Sequence, residues 1–141
     1  FEKVLKGAAM MTETEVEIIE EKKVDNKIPV LTLNDLVMKQ AEELHAPQLA
    51  PAREKTGSTD FGNVMRRVPG TCARIAFVDP GAAAHSQEYI AAGKTDAAHD
   101  AVVYGAKILA GTALELIEDP ELLNRVKTEF KENLAKENSE V

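Results

Sequence analysis

The chain has 141 residues, a formal net charge of −7 and 44% apolar residues. This length allows one domain with a core, and the apolar content excludes a disordered tail. The acidic balance disfavours nucleic-acid partners, because binding phosphates needs a basic patch larger than the pair Arg66-Arg67. No apolar run approaches the ~20 residues that cross a bilayer, and one cysteine, Cys72, fits a reducing compartment. We expect a soluble, cytoplasmic protein without membrane or nucleic-acid partners.

The first segment predicts a helix followed by a strand. Apolar residues recur at helical spacing from Phe1 to Ala9, and the helix is expected to end near Met11 with one face packed. Val16 and Ile18 then alternate with charged residues, which predicts a half-buried strand. Residues 24–31 interrupt both patterns and predict a crossing between two domains. Because the chain enters this helix at once and lacks an initiator methionine, we expect it to be part of a longer protein.

The middle of the chain predicts a helix, a loop and two strands. Thr32 with Asp35 resembles a capping box, and the buried stripe of the helix is expected to comprise Leu33, Leu36, Val37, Ala41 and Leu44. Residues 45–56 contain two prolines and no period, which predicts a surface loop. Val64–Pro69 and Thr71–Val78 are predicted strands, and the second, which contains Cys72, is apolar enough to be central and buried.

The last third predicts two helices. The first is expected from about Asp96 to Glu118, with a buried face of Val102, Ala106, Leu109, Ala113 and Leu116 and with small residues for close packing on a sheet at Ala98, Ala101, Gly105 and Gly111. The second is expected to start with Asp119 as N-cap and Pro120 at the first position, to bury Leu122, Val126 and Phe130, and to fray after Lys131. The order of elements predicts an α/β fold.

Two loops could carry chemistry. His85 lies among small residues after the second predicted strand, where an imidazole can project into a cleft, and Glu88 could hold its second nitrogen or a nearby amide. The alternative is an ordinary loop histidine beside a helix-capping Ser86. The loop 57–63 could bind a carboxylate or phosphate, or it could be a tight turn whose polar side chains bond their own backbone.

The other two histidines are expected to be structural. His99 lies in the first turn of the long helix, where a supporting role near a metal is the less favoured alternative. His45 lies at a helix end, where its side chain suits the helix dipole.

Four stretches resemble the metallo-aminoacylase/carboxypeptidase family. Lys55 to Val64, followed by Val68-Pro69, resembles the family motif Gly-Ser-Thr-Asp-x-Gly-Asn-Val. The other three match in order and spacing: Leu5–Thr12, His85–Tyr89, and Ala106-Lys107 through Leu122. The branch most similar to this chain is that of p-aminobenzoyl-glutamate hydrolase-like amidohydrolases.

The resemblance implies a two-domain hydrolase with two divalent ions, zinc or manganese. Residues 1–24 would be the last helix and strand of a lid/dimerisation domain, and 25–141 the C-terminal half of a zinc-peptidase-like α/β/α catalytic domain. His85 matches a metal ligand, and Ser58, Thr59 and Asp60 match a loop beside the substrate. No catalytic residue is assigned to this chain.

The resemblance also implies the activity and the partners. Substrates would be N-acyl amino acids, dipeptides or aminobenzoyl-glutamate-like amides, and the partners would be the N-terminal half of the enzyme and a second copy in a homodimer. One imidazole cannot hold a catalytic zinc, which needs about three protein ligands, so the chain alone should be inactive. Met65 and the stretch 71–74 depart from the family pattern and leave substrate preference open. Two other functions are open: a non-catalytic interaction or regulatory module, and one chain of a split enzyme.

Overall fold

The structure, a computed structural model, describes residues 1–46, 48–51 and 57–139. These residues form six helices: α1 (Glu2–Met11), α2 (Leu31–Glu43), α3 (Phe61–Met65), α4 (Gln87–Ala92), α5 (Asp96–Glu118) and α6 (Pro120–Ser139). No strand occurs among the described residues, so the predicted α/β fold is wrong for this part of the chain. The predicted loop 45–56 lies partly outside the described residues, at Pro47 and 52–56.

The core is built where α2, α5 and α6 meet. One cluster joins α2 to α6 and to the segment before α2, and it comprises Ile28, Val30, Leu33, Leu36, Leu122, Val126 and Phe130. A second, smaller cluster joins α2 to α5 and comprises Val37, Ala41 and Ile108. The stripes predicted for α2 and α6 are therefore the faces that pack, except that Leu44 is only partly buried. Each helix has an apolar row at helical spacing, and burying those rows together drives the assembly.

The start of α6 forms as its sequence predicts. The Asp119 carboxylate accepts hydrogen bonds from the amides of Glu121, at 3.0 Å, and Leu122, at 2.9 Å. Pro120 is the first helical residue, where its missing N–H costs nothing. The helix does not fray after Lys131 as predicted, because it continues to Ser139 with Leu134 packed against the core.

The start of α2 is capped by a side chain of α6. Val30 is the N-cap residue, and the Glu129 carboxylate of α6 accepts hydrogen bonds from the amides of Leu31, at 2.6 Å, and Thr32, at 3.0 Å. The predicted capping box at Thr32 is therefore wrong. Burial would raise the pKa of Glu129, but the hydrogen bonds from Thr32 and Leu31 outweigh it and hold that pKa below its ordinary value.

Residues 24–31 are not a simple crossing. Ile28 is 1% exposed and Val30 is fully buried, which makes them two of the most buried side chains described. Their side chains enter the α2–α6 core, while Pro29 between them is exposed and its carbonyl accepts a hydrogen bond from Asn133 at 2.8 Å. The proline that suggested a linker therefore lies within a packed extended segment.

The face of α5 that packs is not the one predicted. Ala98, Ile108 and Thr112 are buried, whereas Val102 and Leu109 are 73% and 68% exposed. The helix has apolar residues on both sides, so periodicity could not identify the side that contacts α2. The small residues do mark it, because a Cβ added at Gly111 would stand 1.9 Å from Oε1 of Gln40 in α2. Gly111 thus permits close packing against α2, and Gly105 lies against the Ile75 side chain of the irregular stretch 69–77, whereas a sheet was predicted.

The three predicted strands take other forms. Residues 14–30 and 69–77 have no regular secondary structure, and Val64–Pro69 becomes the end of α3 followed by a turn. The apolar stretch Thr71–Val78 is exposed or half-buried, and Cys72 is exposed and not buried as predicted. A strand exists only when another strand completes its hydrogen bonds, and the described residues supply none.

Helix α1 forms as predicted but does not pack. It has no buried residue, and its apolar side chains Phe1, Val4, Met10 and Met11 are between 72% and 92% exposed. None of the described helices is both long and apolar enough to cross a membrane.

Candidate functional site

His85 projects from the loop that leads into α4. Its backbone is left-handed, with φ of 63°, and its side chain is exposed. A histidine adopts this conformation more readily than most residues, yet it remains uncommon and merits attention. Since His45 is also exposed and left-handed, with φ of 54°, the conformation alone does not identify a ligand.

The residues after His85 fix the loop locally. Ser86 is the N-cap of α4, and its hydroxyl accepts a hydrogen bond from the Tyr89 amide at 3.4 Å. The ring of Tyr89 meets Phe77 edge to face at 5.3 Å, which ties α4 to the extended stretch before the loop. His85 is thus presented just outside a capped helix and next to an aromatic anchor.

Glu88 contacts Ser86 and not His85 in the described structure. The hydrogen bond from the Ser86 hydroxyl, together with its own backbone amide, lowers the pKa of the Glu88 carboxyl below its ordinary value. An ionised carboxylate near His85 would still favour a bound cation. Of the two roles predicted for Glu88, bonding a nearby backbone amide agrees with this arrangement, whereas no described contact joins its carboxylate to the imidazole of His85.

The described residues do not form a metal site by themselves. Within 1–46, 48–51 and 57–139, no group of three His, Cys, Asp or Glu side chains is arranged to hold a metal ion. A catalytic zinc needs about three protein ligands. His85 could thus supply one ligand and no more, as the sequence pattern predicts, and the ligand role itself stays a prediction.

The loop with Ser58, Thr59 and Asp60 lies before α3, and its first two motif residues, Lys55 and Thr56, lie outside the described residues. Ser58 and Asp60 are exposed, and Thr59 is half-buried with its hydroxyl accepting a hydrogen bond from the Phe61 amide at 3.3 Å. The Asp60 carboxylate meets the Lys22 ammonium at 3.0 Å. That hydrogen bond and charge lower the pKa of Asp60.

Asn63 and Gly62 hold this loop to an earlier part of the chain. The Asn63 side chain accepts a hydrogen bond from the Asp25 amide at 3.2 Å and donates one to the Lys23 carbonyl at 3.1 Å. At Gly62 an added Cβ would stand 2.0 Å from the Asp25 carbonyl oxygen, so only glycine allows this approach. The motif's polar residues do both: Thr59 and Asp60 bond backbone amides of their own loop, as the tight-turn alternative predicts, while the Asn63 side chain bonds a distant segment.

Sequence reasoning considered Asn63 only as a turn residue that bonds its own backbone, and it considered Gly62 only for positive φ, which Gly62 does not adopt. The sequence offered no signal for the close approach at Gly62, because residues 57–63 were predicted as a loop and not as part of a helix. The two residues that Asn63 bonds are 38 and 40 positions away in the sequence. No local pattern indicates such a pairing.

Two open hollows lie away from His85 and the motif loop. One of about 510 Å³ lies between Thr32 and the outer side of α6, and one of about 280 Å³ lies between residues 28–31 and the end of α6. Both are open, and neither is lined by His85 or by the loop 57–60. We therefore base the candidate site on His85 and the motif loop, not on these hollows.

Comparison with known proteins gives two similar sequences. The chain is 42% identical over 82 residues to a protein of Mus musculus named Xaa-Arg dipeptidase, and 39% identical over 82 residues to the Homo sapiens protein of the same name. The aligned stretch is 58% of this chain and 19% of each relative, so the chain spans about a fifth of the length of the curated relatives it matches. No family model and no solved structure matches. The similarity is thus to dipeptidases, over part of the chain.

Proposed function

We propose that this chain is the C-terminal part of a metal-dependent dipeptidase that hydrolyses the amide bond of small dipeptides. The partial identity of 42% to an Xaa-Arg dipeptidase carries the proposal, and the family motif around Ser58–Asn63 supports it. Dipeptides that end in arginine are the first substrates to test, because they are what the relatives' name describes. N-acyl amino acids and aminobenzoyl-glutamate remain the other candidates.

In this proposal His85 supplies one ligand to a centre of two divalent ions, zinc or manganese. The remaining ligands and the general base would come from the N-terminal half of the enzyme, and Ser58, Thr59 and Asp60 would contact the substrate. The exposed imidazole of His85 supports this role, because a ligand shared with another domain has to be presented at the surface. On this proposal the chain by itself is inactive.

The exposed apolar surfaces support a larger assembly. On the outer face of α5, Val102, Leu109 and Ile117 are at least 68% exposed. At the two ends of α1, Phe1 and Met11 are 92% and 88% exposed. Such surfaces mark places where more protein packs. We propose that the N-terminal half of the enzyme covers the outer face of α5, that α1 belongs to a lid that dimerises, and that the enzyme is cytoplasmic.

The test uses the complete reading frame that encodes these residues, expressed with zinc or manganese. Wild type, His85→Ala and His45→Ala are assayed on a panel of dipeptides with and without a terminal arginine, and bound metal is measured. His45 is the matched control because it is also an exposed histidine with positive φ. We expect His85→Ala to lose bound metal and at least about 100-fold in rate, since even residues that only support a ligand cost 10- to 100-fold.

Each other outcome selects an alternative. If His85→Ala keeps its metal and rate, His85 is a structural loop residue. If the complete protein hydrolyses nothing on the panel, a non-catalytic interaction module is the better interpretation. If activity appears only after a second chain with further metal ligands is added, the protein is one part of a split enzyme.

A further inference from the structure

Residues 22–26 lie along α3, where side-chain hydrogen bonds and one ion pair hold them. The Asn63 amide accepts from the Asp25 N–H at 3.2 Å and donates to the Lys23 carbonyl at 3.1 Å. One side chain thus provides both an acceptor and a donor to an extended segment, as a neighbouring strand would. Since this segment has no strand partner among the described residues, side-chain bonds such as these two hold it on α3.

The fit at Gly62 shows that the contact is close. Gly62 is buried, and its Cα lies so near the Asp25 carbonyl that a Cβ would stand 2.0 Å from the oxygen and 2.9 Å from the carbon. Both atoms are backbone, so no side-chain movement could relieve the overlap. The packing therefore depends on this glycine and sets the distance at which Asn63 can bond.

Three further contacts extend the same junction. The Lys22 ammonium lies 3.0 Å from the Asp60 carboxylate, which links the segment to the loop proposed to contact substrate. The Arg66 guanidinium donates to Asn26 at 2.8 Å and to Asn138 of α6 at 2.7 Å. The Lys22–Asp60 pair is exposed and contributes little energy, so the Asn63 bonds are the contacts that a single substitution can test.

We propose that Asn63 is a positioning residue: it fixes the Ser58–Asp60 loop against residues 23–25, so that the loop is in place only while this segment is seated on α3. This inference rests on the proposed function, in which Ser58–Asp60 contact the substrate. Because the predicted boundary between lid and catalytic domain falls at residues 24 and 25, the Asn63 bonds connect the position of the lid to substrate binding.

The test compares two asparagines in the complete protein. Asn63→Ala removes both bonds, and the isosteric Asn63→Asp removes only the donor to the Lys23 carbonyl. Asn133→Ala is the matched control, because the Asn133 amide also bonds a backbone carbonyl of the neighbouring segment, that of Pro29 at 2.8 Å, but lies outside the motif. Dipeptide hydrolysis, bound metal and amide hydrogen exchange are measured for each.

We expect Asn63→Ala to raise KM about tenfold, as the loss of two hydrogen bonds would, with kcat and metal content unchanged. Exchange should quicken at the Asp25 amide and across residues 57–61. Asn63→Asp should also raise KM and the rate of hydrogen exchange in the loop. This second variant keeps the test valid if the alanine variant does not fold. Asn133→Ala should change neither KM nor exchange in the loop.

The inference is overturned if both Asn63 variants leave KM unchanged, or if Asn133→Ala raises KM to the same extent. If the wild-type protein hydrolyses no dipeptide, the proposed function fails, and hydrogen exchange alone decides the positioning role. Faster exchange at 57–61 in the Asn63 variants would then support the role of Asn63, and unchanged exchange there would refute it.

Discussion

The junction of α2 with α6 and the outer face of α5 both carry large apolar side chains but differ in whether other residues cover them. At the junction, Val126 is 2% exposed and Phe130 is 8% exposed, between α2 and the segment 28–30. On the outer face, Val102 and Ile117 are 73% and 76% exposed although they lie on an equally regular helix. A helix completes its own backbone hydrogen bonds and can form with one apolar face uncovered, whereas a strand cannot form without a neighbour.

This contrast explains which parts of the chain take regular structure. The apolar rows of α2, α5 and α6 meet in two clusters, which the extended residues Ile28 and Val30 complete. The predicted strands around Val16–Ile18 and over Thr71–Val78 stay irregular because no strand is described beside them, and residues 23–25 are held by the side chain of Asn63. Three substitutions would test this division between the covered and the uncovered parts.

Replacing Phe130 by alanine should have the largest effect on stability. The ring lies in the α2–α6 cluster, and its loss should lower the free energy of unfolding by about 3–5 kcal/mol, measured by denaturant titration of the chain. Val102→Ala, on the uncovered face, should change it by less than about 0.5 kcal/mol. In the complete protein, Val102→Ala should lower the free energy of unfolding by about 2 kcal/mol if another part of the protein covers that face. Equal effects of the two substitutions in the chain alone would contradict the observed packing.

Gly62→Ala should come next, with a loss of about 1–3 kcal/mol, because the new Cβ overlaps the Asp25 backbone and forces it to move. Gly7→Ala is the control, since it also lies inside a helix but has nothing within 4 Å of the added carbon. There alanine should stabilise α1 by about 0.5–1 kcal/mol without altering the unfolding of the core. Thermal unfolding followed by circular dichroism measures both, and a stabilised Gly62→Ala variant would disprove the close approach.

Glu129→Gln should have the smallest effect, about 1 kcal/mol, because it weakens the cap on α2. The pKa of Glu129 is lower in the folded chain than its ordinary value of 4.5, so the folded state binds this proton less tightly than the unfolded state. Its contribution is therefore complete above about pH 4.5 and is lost as the pH falls through the folded pKa.

Denaturant titrations of wild type and Glu129→Gln at several pH values would measure this difference. The gap in stability should be constant above pH 4.5 and shrink below it. Glu132→Gln serves as the control, since Glu132 lies on the same helix and is exposed. A gap that stays constant down to pH 3 would contradict the cap.

The candidate site was only partly readable from the sequence. The motif and His85 could be recognised as candidate site residues because their residue types and spacing resemble those of a known family. The capping residue Ser86 likewise indicated a helix start at that position. The contacts of Asn63 and Gly62 with residues 23–25 could not be predicted, since they join segments that are distant in sequence. The ligand role of His85 and the substrate roles of Ser58, Thr59 and Asp60 stay predictions.

The sequence by itself determined α1, α2, α5 and α6, because their signals are local, whereas the short helices α3 and α4 lie where loops and a strand were predicted. The bounds of α5, the cap at Asp119 and the buried rows of α2 and α6 all follow from residues within a few turns of one another. Only the tertiary structure decided which side of α5 is buried, which carboxylate caps α2, and whether apolar stretches such as Thr71–Val78 become strands. Those outcomes depend on contacts with distant segments, and neither spacing nor composition records which segment will be the neighbour.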